Sequence, residues 1–310
     1  MHGIHHVTAI AGRPARNLAF YTHTLGLRLV KRTVNFDDPG THHLYFGDEV
    51  GRPGTILTFF PWEHAAPWRG GIGLTQTTAL RVPTGAMGYW VHRFVEKGVA
   101  CEALAQRFGE PAVAFTDPDG MGLALVGVAG AETEPAWTGG GIPAEHAIRG
   151  FHGVTLMLEK AAPTEAILTD VLGFGAAGRA GSLRRFRAND GVGGVVDINE
   201  VGGFLAGRMG RGAVHHVAFR AADDAEQAEM ARKLALSHRL QPTEQKDRQY
   251  FRSIYFFEPG GVLFEIATDV PGFAVDEPQA TLGGALKLPP FLEPRRRELE
   301  ATLPPLEMPA

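Results

Sequence analysis

Short runs of alternating apolar and polar residues, punctuated by glycine, recur along the chain. Residues 3–11 alternate and are β-rich, which predicts a strand. Arg13-Pro-Ala-Arg-Asn17 then leads into Leu18, Phe20, Tyr21 and Leu25, a helical spacing opened by Pro14 and stopped by Gly26. Three strands follow, at Leu27 to Asn35, Thr41 to Phe46 and Thr55 to Pro61, with glycine-rich breaks between them. The same order then returns. Gly73 to Val82 predicts a strand, and Met87, Trp90, Val91, Phe94 and Val95 predict a helix within Gly85 to Gly98. Pro111 to Phe115 and Gly122 to Gly127 predict strands around the turn Asp117-Pro-Asp-Gly.

A third unit opens at Gly150, with a helix from Pro163 to Leu172 and strands reaching about Val201. A fourth opens at Gly212, carries a helix near Asp223 to Leu240, and closes with Tyr255-Phe-Phe-Glu-Pro-Gly-Gly-Val-Leu-Phe-Glu-Ile. The units align by eye. Gly3-Ile-His-His-Val-Thr, Gly150-Phe-His-Gly-Val-Thr and Ala213-Val-His-His-Val-Ala match, as do Asp117-Pro-Asp-Gly-Met-Gly-Leu-Ala-Leu and Glu258-Pro-Gly-Gly-Val-Leu-Phe-Glu-Ile. A period of roughly 60–75 residues repeated four times means an array of one supersecondary unit. The boundaries fall at 1–62, 71–128, 150–202 and 212–269, with a linker at 129–149 and a tail at 270–310. The tail is rich in Pro, Gly and Glu, with a short helical piece from Glu293 to Leu303. It either wraps the surface and covers a cup, or is a poorly ordered end. One unit alone would expose a sheet face. The expected fold is therefore α+β, four βαβββ units paired into two cup-shaped half-barrels.

The fourth unit carries His216 on its first strand and Glu265 on its last. A converging His and carboxylate are two thirds of the facial triad of non-haem Fe(II) oxygenases. The missing His is supplied by His6 at the matching position of the first unit. The third unit has Gly153 there, and the second has Ala124 where the fourth has Glu265. Units one and four are thus expected to share a metal-bearing cup, and units two and three to form an empty one.

Composition narrows the class. The 310 residues are 44% hydrophobic and 21% charged, as in an ordinary globular protein. A net charge of −4 leaves no basic footprint for nucleic acid. The single cysteine, Cys101, excludes a Cys-based metal site and an intramolecular disulfide, and fits a reducing compartment. The first residues lack a signal-peptide pattern and no apolar run approaches about 18 residues, so no membrane partner is expected and the location is expected to be cytoplasmic.

The repeated unit with strand His and Glu resembles the vicinal oxygen chelate superfamily, which holds glyoxalase I, bleomycin-resistance proteins and extradiol dioxygenases. The closer likeness is to hydroquinone ring-cleaving dioxygenases. It rests on Gly3-Ile-His-His-Val-Thr-Ala-Ile-Ala-Gly, Asn17-Leu-Ala-Phe-Tyr, Val34-Asn-Phe-Asp-Asp-Pro-Gly-Thr, Gly51-Arg-Pro-Gly-Thr-Ile-Leu-Thr-Phe-Phe-Pro-Trp62, Val214-His-His-Val-Ala-Phe and the stretch Arg248 to Glu265. The resemblance implies Fe(II) held by His6, His216 and Glu265, and O2-dependent opening of a hydroquinone or related dihydroxylated aromatic. Mn, Zn or Ni could occupy the same ligands. Other members offer a glyoxalase-like isomerase and a non-enzymatic aromatic-binding resistance protein as alternatives. Three protein ligands, where glyoxalases mostly have four, favour the oxygenase.

The resemblance also assigns roles around the metal. His5 and His215 take second-shell or acid–base parts, although strand alternation alone would put them on the outer face. Tyr255, ten residues before Glu265 on the preceding strand of the hairpin, is expected to offer its hydroxyl within the cup. Arg248 matches a substrate-contact position, with Arg252 as its rival for that part or as a further substrate contact. Thr8, two residues from His6, shares its face and is expected to touch substrate. His152 reads as a relic of His5. His23, His42 and His43 read as solvated or structural. Exposed sheet edges of paired units suggest a homodimer.

Overall fold

A computed structural model describes residues 2–189 and 191–306; Met1, Asp190 and the last four residues of the tail (307–310) lie outside the description. The four units are as follows. The first comprises β1 (Ile4–Ala11), α1 (Pro14–Ala19), β2 (Arg28–Asn35), β3 (Asp38–Gly47) and β4 (Ile56–Pro61). The second comprises β5 (Leu74–Pro83), α2 (Met87–Glu96), β6 (Ala105–Arg107), β7 (Glu110–Thr116) and β8 (Gly122–Val128). The third comprises β9 (Gly150–Leu158), α3 (Ala162–Asp170), β10 (Gly175–Ala180), β11 (Leu183–Arg187) and β12 (Val195–Glu200). The fourth comprises β13 (Val214–Ala221), α4 (Asp224–His238), β14 (Lys246–Asp247), β15 (Arg252–Phe257) and β16 (Leu263–Thr268). The short edge strands β6 and β14 carry no strong alternation and are additions to the expected elements.

Two eight-stranded sheets result. One runs β14-β15-β16-β13-β1-β4-β3-β2 and the other β10-β11-β12-β9-β5-β8-β7-β6. Units one and four therefore share one sheet and units two and three the other, as the counting of ligand positions required. Within the first unit β1 and β4 run parallel, and the seam between units is the antiparallel pair β1–β13. Each unit closes its last hairpin with a polar side chain that accepts backbone N–H groups of the turn. Asp48 accepts from residues 50–52, Asp117 from 119 and 121, Asn189 from 191, and Glu258 from 260 and 262. These bonds satisfy turn amides that would otherwise be unpaired.

The convex faces pack on the helices, where Trp90, Phe94, Tyr21, Phe59 and Phe219 are fully enclosed. The concave face of the first sheet is filled in layers two residues deep. Ile56, Ala218 and Ala267 belong to an apolar plug; Thr58, His216 and Glu265 lie one step along their strands; Phe60 and Leu263 lie one step further, lining a cavity. The tail supplies the plug. Phe273 and Leu282 pack with Val30, Tyr45, Tyr250 and Phe251. The fully buried Lys31 ties the tail down through Asp276 at 2.7 Å and Glu277 at 2.8 Å. Beyond it Leu286, Leu288, Leu292, Leu299 and Leu303, the last two on or beside α5 (Arg296–Thr302), cover Val34 and Phe36. The tail thus both wraps the first unit and closes one end of its cup.

Candidate metal centre

His6 on β1, His216 on β13 and Glu265 on β16 meet at the middle of the first cup, all three buried. Glu265 Oε2 lies 3.0 Å from His216 Nε2 and 3.4 Å from His6 Nε2, and the three donor atoms fall within 4.8 Å of one another. Oε2 accepts no aligned hydrogen bond, which leaves a buried carboxylate oxygen beside two ring nitrogens and able to serve as a ligand. Metal–ligand bonds of ~2.1 Å at right angles place donors ~3.0 Å apart, so the arrangement fits one ion held on three adjacent positions. Burial opposes ionisation of Glu265, yet His6 and His216 beside it hold its carboxyl well below the ordinary carboxylate range. Burial likewise keeps His216 neutral, the form that binds metal. Among the described residues no other group of three His, Cys, Asp or Glu converges in this way.

Among the described residues of the second cup, the positions that match the triad are filled otherwise. A side chain at Gly153 would meet the Val195 carbonyl oxygen at 2.2 Å, so β9 and β12 run too close for a ligand there. The space is taken by ions of the chain itself. Arg185 makes a forked pair with Asp197 at 2.8 and 3.0 Å, reaches Glu110 at 2.5 Å, and lies over the Phe108 ring. His152 sits 3.2 Å from Glu110 and belongs to this network.

His5 and His215 escape simple alternation through β-bulges. Along the β1–β13 seam Ile4 pairs with Phe219 and His6 with Ala218, leaving His5 as an extra residue; Thr8 pairs with His216 and Ala9 with Val214, leaving His215 extra on the other strand. A bulge re-aims its side chain. Each ring is thereby turned onto its neighbour: His5 Nδ1 lies 2.9 Å from His6 Nδ1, and His215 Nδ1 lies 2.8 Å from His216 Nδ1. The Nε2 atoms of His6 and His216 remain directed at Glu265. Burial, then the neighbouring His216, pushes His215 down to about 3, and burial with His6 pushes His5 well below its ordinary value.

Tyr255 stands opposite Glu265 in the β15–β16 register and lines the cavity, with its ring 5.8 Å from that of His216. Its oxygen accepts from Arg248 Nε at 3.2 Å, and Arg248 reaches across to Asp37 at 3.0 Å. Burial and the charge of Glu265 raise the Tyr255 phenol, keeping it protonated. Thr8 also lines the cavity, with its hydroxyl 3.0 Å from that of Thr58. Arg252 does not belong with these residues. It is one residue before Ser253 and three before Tyr255, on the opposite face of β15, and its guanidinium pairs with Asp224 of α4 at 2.6 Å.

Two further side chains reach this cup without having been expected there. Ser253, fully buried, donates to Glu265 Oε1 at 2.5 Å and fixes the carboxylate from behind. His43, expected to be solvated or structural, lines the cavity, where it bonds Thr58 at 2.7 Å and Tyr45 at 2.9 Å. His42, its neighbour, is structural, held to the tail by the Pro304 carbonyl at 2.8 Å. The cavity measures about 410 Å³, and Phe36, Phe60, Trp62, Phe251 and Leu263 form much of its wall.

The fold and this site define the class: the chain belongs to the Glyoxalase/Bleomycin resistance protein/Dioxygenase superfamily, which its residues 3–125 match. Its similarity to individual members runs the length of the chain. It is 46% identical over 306 residues to the "Putative ring-cleaving dioxygenase MhqO" of Bacillus subtilis (strain 168), covering 99% of this chain and 97% of that one. It is 33% identical over 310 residues to the chlorohydroquinone/hydroquinone 1,2-dioxygenase of Sphingobium indicum, covering 97% and 95%. A crystal structure of a Bacillus subtilis subsp. subtilis str. 168 protein, 47% identical, superposes with a TM-score of 0.94 over 98% of this chain and 97% of that one. Glyoxalase I of Zea mays superposes at 0.66 with 14% identity over 87% and 93%, a likeness of fold alone. Among the described residues no helix is long and apolar enough to cross a membrane.

Proposed function

We propose that this chain is a ring-cleaving dioxygenase that binds Fe(II) through His6, His216 and Glu265 and opens hydroquinones or related dihydroxylated aromatics with O2. The observation that carries this reading is a three-donor site, with no fourth His, Cys, Asp or Glu converging on it among the described residues, at a cavity of about 410 Å³ walled by aromatic side chains. The relatives named as ring-cleaving dioxygenases support it. When bound, Fe(II) supplies the one-electron route by which a spin-paired ring can react with O2, and the open positions on such a triad leave room for both reactants.

The chain's own groups have separable tasks. Glu265 contributes the single negative charge of the ligand set and His6 and His216 contribute neutral nitrogens. His5 and His215 hold the ligand rings at Nδ1, so that Nε2 keeps its direction. Phe60, Trp62 and Leu263 hold an aromatic ring against the site and exclude water. With its oxygen accepting from Arg248, Tyr255 has its own proton left to donate to a substrate oxygen. Arg248 stays charged beside Tyr255 and Asp37 and can stabilise a phenolate.

The test is O2 consumption by protein loaded anaerobically with Fe(II) and given hydroquinone, with catechol and the methylglyoxal–glutathione adduct run alongside. Stoichiometric uptake with a ring-opened product from hydroquinone is expected. Uptake with catechol alone would move the chain to the catechol branch. No uptake with any ring, together with turnover of the glutathione adduct on Ni or Zn, would replace this reading with a glyoxalase.

A further inference from the structure

β2 and β14 stand at opposite ends of the first sheet, yet its curl brings side chains near both edges together twice. At the plug end the join is buried. Asp276 of the tail accepts from Lys31 Nζ on β2 at 2.7 Å and from the Tyr250 hydroxyl, between β14 and β15, at 3.0 Å. Gln249 adds a bond to the same carboxylate at 2.8 Å, and Lys31 Nζ lies 5.1 Å from the centre of the Tyr250 ring. Lys31 and Tyr250 are both buried, and Tyr250 belongs to the apolar plug. The edges cannot part here without unpacking that plug.

At the other end the join is one ion pair. Arg248 Nη2 lies 3.0 Å from Asp37 Oδ2. Among the described residues no other hydrogen bond or ion pair links the turn at 35–38 to the segment 243–248. This pair spans the mouth of the cavity. Of the described side chains that line the cavity, only Asp37, Asp38, Thr243 and Lys246 are exposed; the rest are buried or half-buried. Two of the exposed four come from each side of the pair. An aromatic arriving from solvent therefore passes between these two segments, where Asp37 and Arg248 are joined.

The two joins differ in strength for a physical reason. Lys31 is out of reach of water, so parting it from its carboxylates would leave a buried charge uncompensated. The Asp37 side chain is 63% exposed, and water solvates it whether or not it is paired. A pair of that kind changes an equilibrium constant by no more than about fivefold. One end of the cup is thus a fixed joint, and the other opens at little cost. We propose that the Asp37–Arg248 pair is a latch over the cavity mouth, which opens to admit an aromatic and closes behind it. Asp37 bonds no metal ligand; its part is to set the rates of entry and exit. The inference rests on the reading of the cavity given under Proposed function. A latch changes how often the mouth is open, not how well the occupant fits, so it scales entry and exit alike.

The test is the rate of binding without O2. Fe(II)-loaded protein is mixed with hydroquinone by stopped flow and followed by tryptophan fluorescence, since Trp62 stands in the cavity wall. Asp37→Asn, which keeps the size and loses the charge, should raise the association and dissociation rate constants together by about threefold to fivefold and leave Kd within about twofold. Asp37→Glu should bring both rates back toward those of the unaltered protein. Salt is an independent check, because hydroquinone is uncharged. Raising NaCl from about 0.05 to about 0.5 M should speed both steps in the unaltered protein and neither in Asp37→Asn. Unchanged rate constants in Asp37→Asn would overturn the latch. Faster dissociation alone, with association unaltered and Kd weakened, would make Asp37 a support for Arg248 in holding substrate and overturn it as well. Both of those outcomes leave the proposed function standing. Failure of hydroquinone to bind at all, checked by calorimetry, would overturn the proposed function, and this inference with it.

Discussion

Ser253→Ala removes a hydroxyl that touches no expected substrate position yet holds the Glu265 carboxylate of the candidate metal centre. Ser253 Oγ donates to Glu265 Oε1 at 2.5 Å, and both groups are fully buried. A hydrogen bond to a charged group is worth ~1.5–3 kcal/mol, an upper bound of roughly 10- to 150-fold in affinity if the whole loss fell on the metal-bound state. The loss is shared, because the metal-free protein also keeps a buried, ionised Glu265 that needs the donor. An affinity loss of about tenfold is therefore expected, in line with outer-shell partners of metal ligands generally. At a fixed excess of metal this lowers the metal-dependent part of the stability by about 1.4 kcal/mol. The assay is anaerobic competition between the protein and a chromophoric chelator for Fe(II), with thermal melting in the presence and absence of metal. Ser253→Thr, which retains the hydroxyl, is the control. An unchanged affinity in Ser253→Ala, with the metal-dependent rise in melting temperature intact, would refute the claim that the hydroxyl orients the carboxylate.

Three further outcomes follow from the same geometry. Glu265→Gln should abolish Fe(II) retention in chelator competition and abolish O2 uptake, since it removes the one negative charge of the ligand set; retained uptake would remove Glu265 from the site. Arg252→Ala should leave the KM for the aromatic substrate unchanged and lower stability by at most about 1 kcal/mol, because its pair with Asp224 lies at the surface of α4. A rise in KM equal to that of Arg248→Ala would put Arg252 back in the cavity. Asp117 is pushed up to about 6, chiefly by burial. Its unfolded value is about 3.9, so between those values the folded state binds more protons and stability falls as pH rises from 4 through 6. Asp117→Asn should flatten that segment of a urea-midpoint curve, and an unaltered slope would assign it to other groups.

The sequence alone carried the repeat, the three metal-type residues and the pairing of the first and fourth units. Repeats announce themselves because each copy must build the same strand–helix–strand unit, and a missing His at Gly153 or a missing Glu at Ala124 is visible in the alignment of copies. Arg252 was expected as a substrate contact and is not one of the cavity residues: it lies three residues before Tyr255 on one strand, hence on the opposite face, where it pairs with Asp224. The rest was decided in three dimensions. His5 and His215 turn toward His6 and His216 only because the β1–β13 seam is bulged at both, a feature of register between strands that lie far apart in the chain. Ser253, His43 and Tyr45 reach the site through cross-strand pairing, in which Ser253 meets Ala267 and Tyr45 meets Thr58. The use of the tail as a plug depends on Lys31, an unremarkable residue in a strand pattern until Asp276 and Glu277 are folded onto it. Strand periodicity gives each side chain a face, whereas register, bulges and returning segments decide which other faces it meets.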